Sequence, residues 1–398
     1  MNFNDSPEEA EWRAEFASWL AENAPKVAGA RPERDLEIGG GDYLDRARTW
    51  QAMKFDAGLA RITWEPAFGG RNGSSMQQII FGQEEARFSV PNEAFIIGLG
   101  MIAPTIRAVG TDAQKDRYLT KLLRGEEIWC QLFSEPGAGS DVASLATTAT
   151  RDGDEWVLNG QKVWTSGAQY SDFGEIVCRT NPDAEKHKGI TAFIVDMRSP
   201  GVTIKPLKQM NGGATFNEVF FDGVRVPHEN VLGDVNEGWS VAITTLMNER
   251  VAIGSGVGGG RGTVHDVIDL ARRKGLSGDA RVRQELADLY TRTRIQRFLS
   301  MRTLTAASQG KVPGPEGSIG KLFGGRIMTQ IGALTVSLAG ADAIAGEPRY
   351  AQTLLAAPAG HIAGGSDEVM MNIIGERVLG LPGEPRPDKG VAWRDVPR

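Results

Sequence analysis

Apolar and polar positions follow a helical period at both ends of this chain and alternate through its middle. At the amino end, Ser6-Pro7-Glu8-Glu9 has the form of a helix start, with Ser6 as N-cap, Pro7 in the first helical position and Glu9 closing a capping box. Trp12, Phe16, Trp19 and Leu20 then recur at helical spacing and predict a buried stripe. The apolar segment from Phe95 to Val109 and the amphipathic run from Lys115 to Leu123 extend this helical first lobe. Inside it, Trp64-Glu65-Pro66-Ala67-Phe68-Gly69-Gly70 reads as a structural loop.

From about residue 127 the period changes to two. Arg151-Asp152-Gly153-Asp154, Asn159-Gly160 and Asp222-Gly223 read as hairpin turns between strand-like runs, with Trp156-Val157-Leu158 pairing across Asn159-Gly160 with Gln161-Lys162-Val163-Trp164. Ile190 to Val195 and Val219 to Phe221 supply further strands. Antiparallel hairpins without intervening helices predict a small β-barrel or sandwich. No Gly-x-Gly-x-x-Gly follows a strand and opens a helix, so a dinucleotide has to bind in another way.

After Pro227 and Gly233 the helical period returns and persists to about residue 380. On the helix from Gly238 to about Ile253, Trp239, Ala242, Ile243, Leu246, Met247 and Val251 form the predicted apolar stripe. Arg250 projects into the middle of it, where a guanidinium needs a partner or a ligand, and Glu249 lies on its flank. By itself Glu249 is as well read as a solvated helix carboxylate. The stretch from Pro382 to Pro387 reads as irregular.

Composition narrows the class. A chain of 398 residues with 41% hydrophobic and 24% charged residues is ordinary for a globular protein of two or three lobes. A net charge of −6 gives no electrostatic reason to expect nucleic acid or an anionic membrane as partner. Cys130 and Cys178 are the two cysteines, in no Cys-x-x-Cys pair, which suits a reducing cytoplasm. The four histidines have no metal-ligand spacing, so no metal is expected. The amino terminus lacks a signal-peptide pattern and no apolar run has transmembrane length, so the chain reads as a soluble cytoplasmic protein.

The chemistry concentrates in Ser134-Glu135-Pro136-Gly137-Ala138-Gly139-Ser140-Asp141. Pro136 fixes φ, Gly137 and Gly139 permit positive φ and close approach of another molecule, and Ser134 and Ser140 add hydroxyl donors. A surface turn is the plain alternative. The run Ile128-Trp129-Cys130-Gln131-Leu132-Phe133 precedes the loop, and Lys162-Val163-Trp164-Thr165-Ser166-Gly167 follows it. With this pairing the chain resembles the acyl-CoA dehydrogenases over essentially its whole length. Their flavin-binding signature is a strand followed by Glu-Pro-Gly-Ala-Gly-Ser-Asp, then a Trp-x-Ser/Thr segment.

The resemblance implies an α+β fold with an all-α N-terminal domain (residues 1–126), a central antiparallel β-barrel domain (127–234) and a C-terminal four-helix-bundle domain (235–398). It implies FAD as cofactor, held by Gln131, Phe133, Ser134, Gly139, Ser140, Trp164 and Ser166. On the adenine side it implies Arg273, Gln284, Ser366 and Glu368, although the family's Arg-x-x-Phe-Gly segment here reads Arg273-Lys274-Gly275-Leu276-Ser277. Ser140 also matches a position near the CoA phosphates, and Arg250 one that anchors substrate or a loop.

Most members carry the catalytic glutamate in a Tyr-Glu-Gly-Thr segment, which here reads Ala363-Gly364-Gly365-Ser366. Glycine cannot take a proton, and isovaleryl-CoA dehydrogenase-like enzymes place the glutamate before an arginine on the earlier helix, as in Asn248-Glu249-Arg250. The implied base is therefore Glu249, its pKa raised by a dry pocket, while the backbone N–H at Gly364 serves the thioester oxygen. The implied reaction turns an acyl-CoA into a trans-2-enoyl-CoA and passes electrons to an electron-transfer flavoprotein. The implied assembly is a homodimer or homotetramer with FAD near the subunit interface. Small residues at Ala363, Gly364 and Gly365 suggest a branched or bulky acyl chain. A flavin oxidase or monooxygenase on the same fold, or a non-catalytic partner subunit, are the alternatives.

Overall fold

The computed structural model describes residues 5–25, 41–254, 263–308, 314–345, 348–386 and 388–396. They form two compact units: one comprises residues 1–209, 213–249 and 386–398, the other 210–212 and 250–385.

In the first unit, the helices α1 (Pro7–Asn23), α2 (Tyr43–Asp56), α3 (Ser75–Glu85), α4 (Ala103–Val109) and α5 (Asp112–Arg124) precede the sheet. The capping box expected at Ser6 and Glu9 is present, and Phe16 and Leu20 are fully buried among Trp50, Ile62 and Phe81. The strands are β1 (Trp129–Leu132), β2 (Thr148–Asp152), β3 (Glu155–Ser166), β4 (Phe173–Arg179), β5 (Ile190–Asp196), β6 (Val202–Leu207), β7 (Phe216–Pro227) and β8 (Val231–Leu232).

The sheet runs β6-β7-β3-β2-β4-β5-β8. It differs from the antiparallel barrel expected of the sequence in two ways. β1 and β2 both pair with β4 in parallel, so the sheet is mixed. It is also open, because β6 and β8 do not pair among the described residues. The physical reason lies in these edges: β6 carries Lys205 and Pro206, which suit a terminal strand, and β8 is two residues long.

Two of the expected hairpins are also corrected. β2 and β3 do turn at Gly153-Asp154, but Asn159-Gly160 lies inside β3 and Asp222-Gly223 inside β7. The two dipeptides face each other where the β3–β7 register shifts: Leu158 pairs with Val224 and Gly160 with Phe221. One residue of β3 thus opposes two of β7. This is a β-bulge, with Gly223 at φ 64° and its N–H donating to Asn159 Oδ1 at 2.9 Å. The Gly signals mark a change of strand twist, not a reversal of the chain.

β4 and β5 are buried on both faces, and alternation divides them between two cores. Ile190, Ala192, Ile194 and Val177 face a core with Ile102, Ile106, Leu119 and Leu122 of the helical layer. Phe193, Val195, Ile176 and Cys178 face Trp156, Leu158 and Val219. Past the irregular stretch, the segment around Trp393 returns to the first unit: the Trp393 N–H donates to the Ala184 carbonyl at 2.8 Å.

α6 (Gly238–Gly254) begins in the first unit. Its buried face overlaps the predicted stripe in part: Ala242 is buried and Trp239 and Leu246 pack against the core, but Val241 and Thr245 are buried while Ile243 and Met247 are exposed. A hydroxyl, not an isoleucine, faces inward, where Thr245 meets a buried carboxyl, described below. The Arg250 side chain lies outside the described residues.

The second unit holds α7 (Val264–Arg273), α8 (Ala280–Ser308), α9 (Gly317–Ala339), α10 (Asp342–Ala345), α11 (Pro348–Ala356), α12 (Ala359–Ile362) and α13 (Asp367–Ile373). Val267, Leu270, Leu289, Ile331 and Leu334 form its core. Among the described residues no helix is long and apolar enough to cross a membrane.

Candidate active site

β1 and β2 fill the same slot of the sheet from its two ends. β1 lies along the first half of β4, β2 touches the end of β4 and pairs with β3, and the Gly-rich loop joins them. The end of β1 also reaches β3, since the Val163 N–H donates to the Ser134 carbonyl at 2.9 Å. Both halves of the motif read from the sequence, Gln131 to Asp141 and Lys162 to Ser166, are therefore joined by backbone.

A buried ion pair reinforces the join. Lys162 Nζ lies 2.8 Å from Glu135 Oε1 and donates to the Phe133 carbonyl at 3.0 Å. Glu135 accepts from the N–H groups of Ala146 and Thr147 at 2.7 and 2.9 Å. Burial would push this carboxyl up, but the Lys162 charge and these hydrogen bonds outweigh it and hold the pKa below the usual value.

The loop closes on itself through reciprocal backbone hydrogen bonds between Glu135 and Ala138, each 3.0 Å. That closure leaves Gly137 and Gly139 outside the positive-φ region the sequence suggested for them. What the two glycines contribute is space: a Cβ added at either would meet nothing within 4 Å. Past the exposed Ser140, Asp141 accepts from the Ser144 hydroxyl at 2.6 Å and from Lys186 at 2.9 Å, and Lys186 also meets Asp388 at 2.8 Å.

Trp164 sits at φ 61° and is 60% exposed, its ring edge-on to Phe216. A tryptophan in the left-handed region is strained, and a large indole turned out of a sheet leaves an apolar face to be covered. Beside it, Thr165 Oγ1 and, on β1, Gln131 Nε2 are buried polar atoms with no hydrogen-bond partner among the described residues. Phe133 is buried, and Ser134 and Ser166 are partly buried. The uncovered indole, the unpartnered Gln131 Nε2 and the open space over the loop fit the flavin that the resemblance implies.

Glu249 is half-buried in the first unit, on the line of Ala242 and Thr245. The remaining predicted residues fall in the second unit. Gly364 and Gly365 have φ 67° and 91°, so both positions disfavour a side chain on backbone grounds. Lys321 Nζ donates to the Gly365 carbonyl, and Asp367 Oδ2 lies 2.8 Å from His361 Nδ1. The Ser366 hydroxyl caps α13, accepting from the Val369 N–H at 3.4 Å. Arg273, Gln284 and Glu368 are exposed.

Sequence reasoning passed over Lys162 as a mere strand residue and missed Glu175, Thr245 and Lys321 altogether. Glu175 left a readable sign, being the one acidic residue in Phe173-Gly174-Glu175-Ile176-Val177-Cys178. Nothing local marks the other three.

Family models of the acyl-CoA dehydrogenase N-terminal, middle and C-terminal domains match residues 6–126, 130–224 and 236–379. Acyl-CoA dehydrogenase IpdE1 of Mycobacterium tuberculosis is 36% identical over 385 residues, covering 94% of this chain and 98% of that protein. Acyl-CoA dehydrogenase FadE34 of the same organism is 39% identical over 364 residues, 91% of this chain, which spans 50% of that relative's length. Among solved structures, the Tcur3481-Tcur3483 steroid ACAD superposes with a TM-score of 0.82 at 29% identity, covering 96% of this chain and 100% of that one. The ChsE4-ChsE5 complex from Mycobacterium tuberculosis does so with a TM-score of 0.78 at 31% identity, with coverage of 96% and 100%. Matched in all three of its domains, the chain belongs to the acyl-CoA dehydrogenase family, whose members are flavoprotein oxidoreductases.

Proposed function

We propose that this protein desaturates an acyl-CoA thioester between Cα and Cβ, giving a trans-2-enoyl-CoA, with Glu249 as the base. One observation carries the choice of base. Gly364 has no side chain and a backbone that disfavours one, while Glu249 is half-buried one helical turn after the buried Thr245. The Glu249 carboxylate takes the proton from Cα, and the Gly364 N–H donates to the thioester oxygen as it gains enolate character. What FAD supplies when bound is an acceptor for the hydride that leaves Cβ.

Gln131, Phe133, Ser134, Gly139, Trp164 and Ser166 hold the ring, and Ser140 and Arg250 hold the substrate. Arg273, Gln284, Ser366 and Glu368 serve the adenine half. The exposure of Arg273, Gln284 and Glu368 supports completion of that half in an oligomer, either a homo-oligomer or a pairing of unlike chains as in the ChsE4-ChsE5 complex. A branched or bulky acyl group, with an electron-transfer flavoprotein as acceptor, completes the reading; the small residues at Ala363 to Gly365 and the steroid ACAD relative support the former.

The test is purified protein with straight, branched and steroid-side-chain acyl-CoAs and an artificial electron acceptor. We expect a yellow protein that turns over a bulky substrate, and a Glu249→Gln variant that stays yellow and loses at least about a hundredfold in kcat. Full activity in Glu249→Gln would remove this base. A colourless, inactive protein would mark a partner subunit instead.

A further inference from the structure

Among the buried ionisable groups that the function above leaves without a task, one stands beside the helix that carries Glu249. Glu175, in the middle of β4, has no solvent exposure. The groups facing it are Gln131 across the β1 register, Ile194 across the β5 register, and Thr245 on α6 with Thr105 of α4 behind it; none carries a charge. Its Oε1 lies 2.8 Å from Thr245 Oγ1, and its Oε2 has no hydrogen-bond partner among the described residues. Thr245 Oγ1 is 3.0 Å from Thr105 Oγ1, Thr105 donates to the Met101 carbonyl at 2.8 Å, and Asn248 Nδ2 donates to Thr105 at 3.3 Å.

Each threonine hydroxyl has one proton to give. Thr105 Oγ1 lies 2.8 Å from the Met101 carbonyl, and Thr245 Oγ1 lies 3.2 Å from the Val241 carbonyl as well as 2.8 Å from Glu175. The Thr245 hydroxyl donates to Glu175 Oε1 at 2.8 Å and so ties α6 to β4. Burial without a cation pushes that carboxyl up to about 8, so it holds its proton at neutral pH.

The chain also accounts for the turn of α6 about its axis. The apolar pattern alone places Ile243 and Met247 inward, yet both are exposed and Thr245 is buried in their stead. Residues four apart share a helix face, so whatever sets Thr245 sets Glu249. We propose that Glu175 is a positioning residue for Glu249: through Thr245 and Thr105 it fixes the rotation of α6, and so the line along which the Glu249 carboxylate leaves the helix. The inference rests on the reading of Glu249 as the base.

The experiment compares the holoenzyme with Glu175→Gln, Glu175→Leu, Thr245→Ser and Thr245→Val. Gln can still accept from Thr245 and Ser keeps the hydroxyl, so both should stay within about threefold of the wild-type kcat per bound flavin. Leu and Val break the chain, and kcat should fall about tenfold or more with KM little changed, as for a displaced catalytic group. Wild-type kcat should also decline above about pH 8, and Glu175→Gln should not. Amide hydrogen exchange over residues 245–249 in the resting enzyme should quicken in Leu and Val, a readout that needs no substrate. If Glu249→Gln abolishes turnover but Leu and Val keep kcat per flavin, this inference fails alone. If Glu249→Gln stays active, the base assignment fails and the positioning role goes with it. Should Glu175→Leu not fold, Thr245→Val decides the matter with the carboxyl intact.

Discussion

Lys162 Nζ and Glu135 Oε1 lie 2.8 Å apart, both side chains being almost fully removed from solvent. The pair ties the strand that carries Trp164 and Ser166 to the loop that carries Gly137 to Ser140. Lys162→Met would leave a buried carboxylate with only the Ala146 and Thr147 N–H groups. Breaking one side of such a pair costs roughly 3–5 kcal/mol. We expect a loss of that order in urea denaturation together with easier release of FAD. An unchanged midpoint would show that the pair holds nothing.

Glu135 and Glu175 predict opposite pH limbs. Glu135 has a depressed folded-state pKa, so its contribution is present above the unfolded value of 4.5 and is lost as pH falls through the folded value. Glu175 is raised from 4.5 to about 8, so its contribution is complete below 4.5 and erodes as pH rises towards about 8. Calorimetric scans should show Tm falling on both sides. Glu175→Gln should flatten the alkaline limb and leave the acid one. If both limbs persist unchanged in that variant, Glu175 is not what titrates.

Trp164 at φ 61° stores strain of roughly 1–2 kcal/mol that only glycine avoids. In the apoprotein, Trp164→Gly should therefore melt at or above Trp164→Ala, which keeps the strain and loses the ring. Both should bind FAD more weakly in a flavin titration. Trp164→Ala melting clearly above Trp164→Gly would show that the backbone here is unstrained.

Gly160 and Gly153 differ by what surrounds them. A Cβ on Gly160 would stand 2.5 Å from Thr147 Oγ1 and 2.7 Å from its backbone Cα. Gly160, at φ 148°, carries a backbone cost as Gly153 does, and overpacking should add roughly 1–3 kcal/mol to it in Gly160→Ala. At Gly153, φ is 63° but nothing lies within 4 Å, so Gly153→Ala should cost about 1 kcal/mol from the backbone alone. Chemical denaturation of the two variants gives the comparison, and equal costs would deny the Thr147 contact.

What could be read from the sequence was what neighbours along the chain decide among themselves. The capping box joins Ser6 and Glu9, three positions apart, and the turn at Gly153-Asp154 joins strands that pair at once. The motif from Gln131 to Asp141 with Trp164 is likewise a local string of residue types, and it was sufficient to indicate the family. Tertiary structure decided what depends on distant partners. Asn159-Gly160 and Asp222-Gly223 each look like a turn, and only their pairing across 64 residues makes them one bulge. Whether the sheet closes depends on β6 and β8 meeting, which no local pattern encodes. α6 turns Thr245 inward and leaves Ile243 of its apolar stripe at the surface, and Thr245 meets a carboxyl 70 residues earlier in the chain. In a dry interior, one unsatisfied polar group outweighs the modest gain from burying an isoleucine that can remain at the surface.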